Sequence, residues 1–251
     1  MKALITGASS GLGKDMAIYL SNLGYDLILV ARRKELLEKI SNSLNTNVEI
    51  LTYDLLEEEN LYKLYNEVKK EKIDIVINNA GFGLFGNFVD TDLDRELAML
   101  NLNVKAYHVL TKLFLKDFVR KDSGYILNVC SSAGFMPGPG MASYYATKNY
   151  VTSLTLAINE ELKDKKSNVK ISALCPGPVE TEFNKVANGT FVIKGADSKY
   201  VSKYAIDKMF KGKMIIIPTI KMKLAILATR IVPRRLQLKI THKIQKKKNI
   251  K

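Results

Sequence analysis

Short apolar runs rich in Val, Ile and Leu alternate with stretches of helical spacing along nearly the whole chain. This alternation limits the fold more than any other feature. The runs "KALITG" (2–7), "YDLILVA" (25–31), "VEILTYD" (48–54), "IDIVINNAG" (73–81), "GYILNVCS" (124–131), "VKISALCPG" (169–177) and "KMIIIPT" (213–219) are read as strands. Helical patterns lie between them at about 11–24, 33–44, 57–71, 92–121, 143–164 and 198–210. In the first of these, Met16, Ala17, Leu20 and Leu23 recur at helical spacing and Gly24 stops the helix. A strand that is apolar throughout is buried on both faces, and strands that each return through a helix run parallel. The expected fold is α/β: one domain built on a doubly wound parallel sheet of about seven strands, with helices on both faces.

The turn between the first strand and the first helix, "TGASSGLG" (6–13), has the spacing Gly-x-x-x-Gly-x-Gly. Gly7 permits a tight turn. Gly11 and Gly13 remove side chains where backbone must approach a pyrophosphate and where helix packs on strand. The helix start supplies amide donors and the positive end of its dipole. A nucleotide site is expected here. At the end of the second strand, an acidic residue would hold a ribose 2′-hydroxyl. Ala31-Arg32-Arg33 stands there instead. Two guanidiniums suit a phosphate, so NADP is expected rather than NAD.

A second feature raises a choice. "SYYATKNY" (143–150) sets Tyr144 and Tyr145 four and three residues before Lys148. Both spacings share a helix face, so either tyrosine could meet the lysine. "NVCSS" similarly offers Ser131 and Ser132, and "MLNLNVKAYHVLT" offers Asn101 and Asn103. The set of "TGASSGLG", "NNAG" (78–81), a Ser thirteen residues before a Tyr, and Tyr-x-x-x-Lys resembles the short-chain dehydrogenase/reductase family, in its single-domain, Rossmann-like branch. The motifs run from residue 6 to about 181. This resemblance selects Ser131, Tyr144 and Lys148, because only Tyr144 satisfies both spacings, and it selects Asn103 because Ala106 follows it by three.

The resemblance implies roles for these residues. Tyr144 would exchange a proton with an alcohol/carbonyl pair, its acidity raised by the Lys148 ammonium and by an oxidised nicotinamide. Ser131 would donate to the carbonyl oxygen. Lys148 would reach the ribose hydroxyls, and Asn103 would hold a relay water. Asp54 would accept from the adenine amino group, and Asn79 would support the cofactor near the adenine ribose. Pro176-Gly177 would form the turn beneath the nicotinamide, and Thr181 would reach the carboxamide. The remaining cofactor contacts would come from Ser9, Ser10, Leu12, Leu55, Ala80, Gly81 and Val179. The implied activity is that of an NAD(P)-dependent oxidoreductase. The competing readings are a non-catalytic NADP sensor or scaffold and an extended-branch epimerase or dehydratase. The latter usually has a different glycine spacing and a longer C-terminal substrate domain.

Around the motifs, Phe82, Phe85, Phe135, Met136, Met141 and Phe183 are candidate walls for a hydrophobic substrate. Residues 183–200 have little periodicity and read as a lid. The net charge of +14 is unevenly placed: from Thr190 onward there are 17 Lys+Arg and 2 Asp+Glu. The catalytic domain is placed at 1–220, with 221–251 as a basic, amphipathic extension. Pro233 can open a helix that carries Leu236, Ile240 and Ile244 on one face. That extension could pack on its own domain or on a partner subunit, or touch an anionic membrane surface. It lacks the aromatic interleaving of nucleic-acid binding, and no nucleic acid is expected. Cys130 and Cys175 sit in apolar runs and read as core thiols, and His108 and His242 do not form a metal pair. A homo-oligomeric cytoplasmic protein, with peripheral membrane contact as an option and no metal, is expected.

Overall fold

A computed structural model describes residues 1–183, 187 and 195–246. Seven strands form one parallel sheet in the order β3-β2-β1-β4-β5-β6-β7. They are β1 Lys2–Thr6, β2 Asp26–Ala31, β3 Val48–Thr52, β4 Ile73–Asn78, β5 Tyr125–Val129, β6 Lys170–Leu174 and β7 Ile215–Ile216. β7 is much shorter than the run "KMIIIPT" suggests, because only Ile215 and Ile216 pair with β6. Pro218 follows closely and cannot donate to a ladder.

Side chains alternate across the sheet and build a core on each face. From β1, Ala3 and Ile5 join Met16, Leu20, Val201, Ile206 and Met209 under α1 (Gly11–Asn22) and α7 (Ser198–Phe210). Leu4 points the other way, to Leu61 and Leu64 of α3 (Glu58–Val68) and to Leu110, Phe114 and Phe118 of α5 (Tyr107–Arg120). The short α2 (Lys34–Ser41) closes on the first face through Leu37 and Ile40.

The expected long helix 92–121 is continuous but not uniform. It comprises α4 (Leu93–Leu100), a π-helical stretch at Asn101–Ala106, and α5. Such wider turns cluster at functional sites, and this one carries Asn103. The chain then returns through a single 3₁₀ turn (Ser132–Phe135) to α6 (Ala142–Asp164), the helix that holds both tyrosines and Lys148. A buried polar network positions α5 and α6 on the sheet. Asn78 Nδ2 donates to Thr111 Oγ1 (3.1 Å) and Asn128 Oδ1 (2.8 Å), and Asn128 Nδ2 donates to Thr155 Oγ1 (2.9 Å).

Of the expected lid, residues 184–186 and 188–194 lie outside the described residues. Its end is tied down: Ala196 N–H donates to Pro178 O (2.9 Å), and α7 begins at Ser198. The basic extension forms two helices, α8 (Ile220–Ile231) and α9 (Arg234–Lys246). Only the second was legible from Pro233.

Candidate active site

Strand order reverses at β1, which pairs with β2 on one side and β4 on the other. Crossovers leave in opposite directions there and open a crevice at the C-terminal edge of the sheet. A cleft of about 630 Å³ occupies that place. Of the catalytic and cofactor-contact residues named from sequence, all but Gly13 and Asn103 line it.

The glycine turn forms one end of the cleft. Gly7 has φ +64° and Gly11 has φ +54°, backbone that non-glycine residues rarely adopt. A β-carbon on Gly13 would lie 2.5 Å from Gly7 O and 2.5 Å from Asn79 Nδ2, so this glycine serves close packing of α1 beneath the turn. Asn79 braces the turn: its Nδ2 donates to Thr6 O (3.0 Å) and Gly7 O (3.1 Å). Ser10 precedes α1 yet makes no side-chain cap, which leaves the first amides of the helix without a side-chain acceptor. Its hydroxyl instead accepts from Arg33 Nη2 (3.0 Å), and Ser9 Oγ accepts from Arg33 Nε (3.3 Å). Arg33 thus lies beside the glycine turn, paired also with Glu182 (3.3 Å). Arg32 faces Asp54 at 3.5 Å. The open helix start, the left-handed glycines and two guanidiniums together fit a dinucleotide phosphate group.

The other end holds Ser131, Tyr144 and Lys148. Tyr144 is buried, hydrogen-bonded to Ser131, with its ring centroid 5.5 Å from that of Phe183. Ser131 Oγ also accepts from Ala133 N (3.1 Å), which holds it at the start of the 3₁₀ turn. Lys148 lies one helical turn after Tyr144. Its Nζ donates to Val129 O (2.9 Å) and sits 6.0 Å from the Tyr144 ring centroid. Tyr145 also lines the cleft, but its phenol oxygen accepts from Gln245 Nε2 (2.6 Å). The structure therefore brings Ser131, Tyr144 and Lys148 together and assigns Tyr145 to the tail. Asn103 is fully buried. Its Nδ2 donates to Phe82 O (2.8 Å) and Thr147 Oγ1 (3.2 Å), while its Oδ1 accepts from Phe82 N (3.1 Å). Asn103 thus clamps the segment after β4 to α6, directly behind Lys148.

The family pattern described as short chain dehydrogenase matches residues 1–190. The chain belongs to the short-chain dehydrogenase/reductase family. An oxidoreductase of Staphylococcus epidermidis whose function is uncharacterised is 32% identical over 185 residues, covering 73% of this chain and 80% of that protein. Among solved structures, a short-chain dehydrogenase from Sphingobium yanoikuyae in complex with NADPH is 28% identical, with a TM-score of 0.82 over 92% of this chain and 93% of that one. The bulky-bulky ketone specific alcohol dehydrogenase from Comamonas testosteroni is 27% identical, with a TM-score of 0.78 over 92% of each chain.

In this short-chain dehydrogenase the ionisation of the pair differs from the sequence expectation. Burial raises the Tyr144 pKa above its ordinary 10.0, and the hydrogen bond from Ser131 only partly opposes this. Burial likewise lowers Lys148 from 10.5 to about 8. Loss of water outweighs any help the ammonium gives the phenolate, so the protein alone holds Tyr144 as a neutral phenol. The lysine shift has a stability consequence. Between about pH 8 and 10.5 the unfolded chain binds more protons than the folded one, so the Lys148 contribution to stability rises with pH across that window. The Lys148→Met variant lacks this effect. Its stability relative to wild type is expected to fall by about 3 kcal/mol across the window. Denaturant unfolding on either side checks this, and a flat difference refutes it.

The substrate wall needs correction. Phe82, Met136, Met141 and Phe183 line the cleft, whereas Phe85 and Phe135 do not. Phe85 is 6% exposed and packs with Leu84 and Met99; Phe135 packs with Tyr107 and Val151. Which of these apolar side chains face the cleft depends on tertiary packing that spacing does not reveal. Sequence reasoning missed the tail altogether as a wall. Met222 and Ala225 of α8 and Thr241, Ile244 and Gln245 of α9 line the same cleft. No local motif announces them, because they arrive from about a hundred residues downstream. Cys130 and Cys175 are free, buried and adjacent at the ends of β5 and β6. Among the described residues there is no cluster of metal-ligating side chains.

Proposed function

We propose that this dehydrogenase interconverts a bulky, uncharged, hydrophobic ketone or aldehyde and its alcohol, with NADP(H) as hydride carrier and Tyr144 as the acid/base. The observation that carries this reading is the meeting of Tyr144, Ser131 and Lys148 in one apolar cleft whose other end is the glycine turn. The bound nicotinamide supplies the hydride in reduction and takes it in oxidation. The chain's own residues do the rest. Ser131 donates to the substrate oxygen and stabilises the charge that grows there as the carbonyl π bond breaks. The neutral Tyr144 phenol gives its proton to that oxygen, so hydride and proton together make the alcohol. Lys148, as an ammonium, then faces the phenolate left behind. Asn103 holds Phe82 and Thr147 in register, and with them the wall and the catalytic helix.

Among the described residues, Arg32, Arg33 and Lys148 are the cations that line the cleft, and both arginines are at the glycine end. Phe82, Met136, Met141, Phe183, Met222 and Ile244 leave the other end apolar, which favours an uncharged substrate. The likeness to a dehydrogenase specific for bulky ketones supports the same class. Meeting of all three proton-transfer groups speaks against a purely sensing or scaffolding protein. This reading also takes the enzyme to be a cytoplasmic homo-oligomer, with a catalytic body at 1–220 and an appendage at 221–251.

NADP preference rests on Arg33 beside Ser9 and Ser10, with Arg32 next to it. Replacing Arg32 and Arg33 by alanine is expected to lower the ratio of NADPH to NADH affinity by about tenfold or more, since hydrogen bonds to charged groups contribute about 1.5–3 kcal/mol. Fluorescence titration with both dinucleotides checks it; an unchanged ratio removes the 2′-phosphate argument.

A further inference from the structure

Helix α9 is built the wrong way round for a helix that ends at water. The side chains it buries are Gln237, Thr241 and Gln245, at 6%, 7% and 7% exposure. Those it shows to solvent include Leu236, Ile240 and Ile244, at 50%, 47% and 43%. A surface helix ordinarily does the reverse. Helix α8 repeats the pattern. Ile220, Leu224, Leu227 and Ile231 recur every three or four residues and are all more than half exposed. Each stripe is an apolar face without a protein cover among the described residues.

The charge beside the stripes says what covers them. No Asp or Glu follows Asp207, while Arg234, Arg235, Lys239 and Lys243 stand on α9 itself. A second copy laid on this face would set cation against cation with no carboxylate to pair. An anionic lipid surface meets both needs, apolar depth for the stripe and negative headgroups for the flanks. No described helix is long and apolar enough to cross a membrane, so the segment would lie in the interface.

We infer that α8 and α9 form a docking surface for an anionic phospholipid bilayer and seat the mouth of the cleft at the lipid headgroups. Ile244 ties the two together, since it belongs to the exposed stripe and also lines the cleft. Gln245, one residue on, holds Tyr145 beside the catalytic tyrosine. A membrane-dissolved substrate would therefore enter without crossing water. Docking goes beyond the catalytic reading and is measured without substrate or dinucleotide, so either can fail alone.

The test is co-sedimentation of the full chain with phosphatidylcholine vesicles, with and without phosphatidylglycerol. Wild type is expected to bind only the mixed vesicles, and less as salt rises. Lys239→Glu with Lys243→Glu is expected to weaken partitioning by more than about tenfold. Leu236→Ser with Ile240→Ser should abolish it. Both double variants should keep wild-type turnover of a soluble ketone, because none of these residues lines the cleft. Absence of wild-type binding to mixed vesicles, or unchanged binding by both variants, overturns the inference. So does vesicle-independent self-association that the serine variant dissolves, which would make a second copy the cover. Binding to duplex DNA in place of vesicles would overturn it too.

Discussion

Replacing Tyr144 by phenylalanine is expected to lower kcat roughly a thousandfold, while dinucleotide affinity stays near wild type. The substitution removes one oxygen and leaves the ring that packs on Phe183. It therefore isolates the proton from the packing. Hydride transfer without a proton donor must leave an alkoxide in an apolar cleft, where an unpaired charge is strongly disfavoured. Tyr145→Phe is the control. Its hydroxyl is held by Gln245 and is not shared with Ser131, so it should loosen the tail contact and spare the chemical step. Steady-state turnover of a panel of bulky ketones by both variants separates the two tyrosines. Equal rates for wild type and Tyr144→Phe would end the assignment of Tyr144 as the acid.

The second large effect is at Gly13. An added β-carbon there would sit 2.5 Å from Gly7 O and 3.0 Å from Gly7 C, and backbone cannot swing aside as a side-chain end can. Gly13→Ala is expected to push the turn away from α1, with a loss of about 1–3 kcal/mol in stability, the usual range for overpacking. It should also bring dinucleotide binding below detection, because Gly7, Ser9 and Ser10 move with the turn. Gly24→Ala provides the contrast. Its φ is +83° and nothing lies within 4 Å of the new carbon. It meets only the backbone penalty of about 1–2 kcal/mol and should leave dinucleotide binding intact. Urea unfolding and fluorescence titration of both variants check the pair; wild-type dinucleotide binding by Gly13→Ala would show the turn to be no phosphate cradle.

The neutral state of Tyr144 shows where local spacing stops. Tyr-x-x-x-Lys puts a phenol and an ammonium on one helix face, and that much is local geometry. Whether the ammonium makes the phenol acidic depends on the water both have lost. Tyr107, Val129 and the turn after β4 do that excluding, from other parts of the chain. Asn103 is similar. Its position on a helix was legible, but the π-helical turn that carries it inward, to clamp Phe82 and Thr147, was not. The apolar walls divided for the same reason. Met141 and Phe183 reach the cleft, while Phe85 is buried in core and Phe135 packs, half-buried, against Tyr107 and Val151.

By itself, the order of residues determined the parallel sheet, the glycine turn after its first strand and the paired arginines after the second. These depend on period, on permitted backbone angles or on neighbours a few positions apart, which are properties of a short stretch of chain; spacing left two serines and two tyrosines open, and the family resemblance selected Ser131 and Tyr144 with Lys148. Only the tertiary structure decided that Tyr145 belongs to the tail, that α8 and α9 complete the cleft, and that α9 buries glutamine while showing isoleucine to solvent. Those outcomes depend on which surfaces meet after the chain has doubled back by a hundred residues. A helix records its own two faces in its sequence, but its neighbours decide which of them is covered.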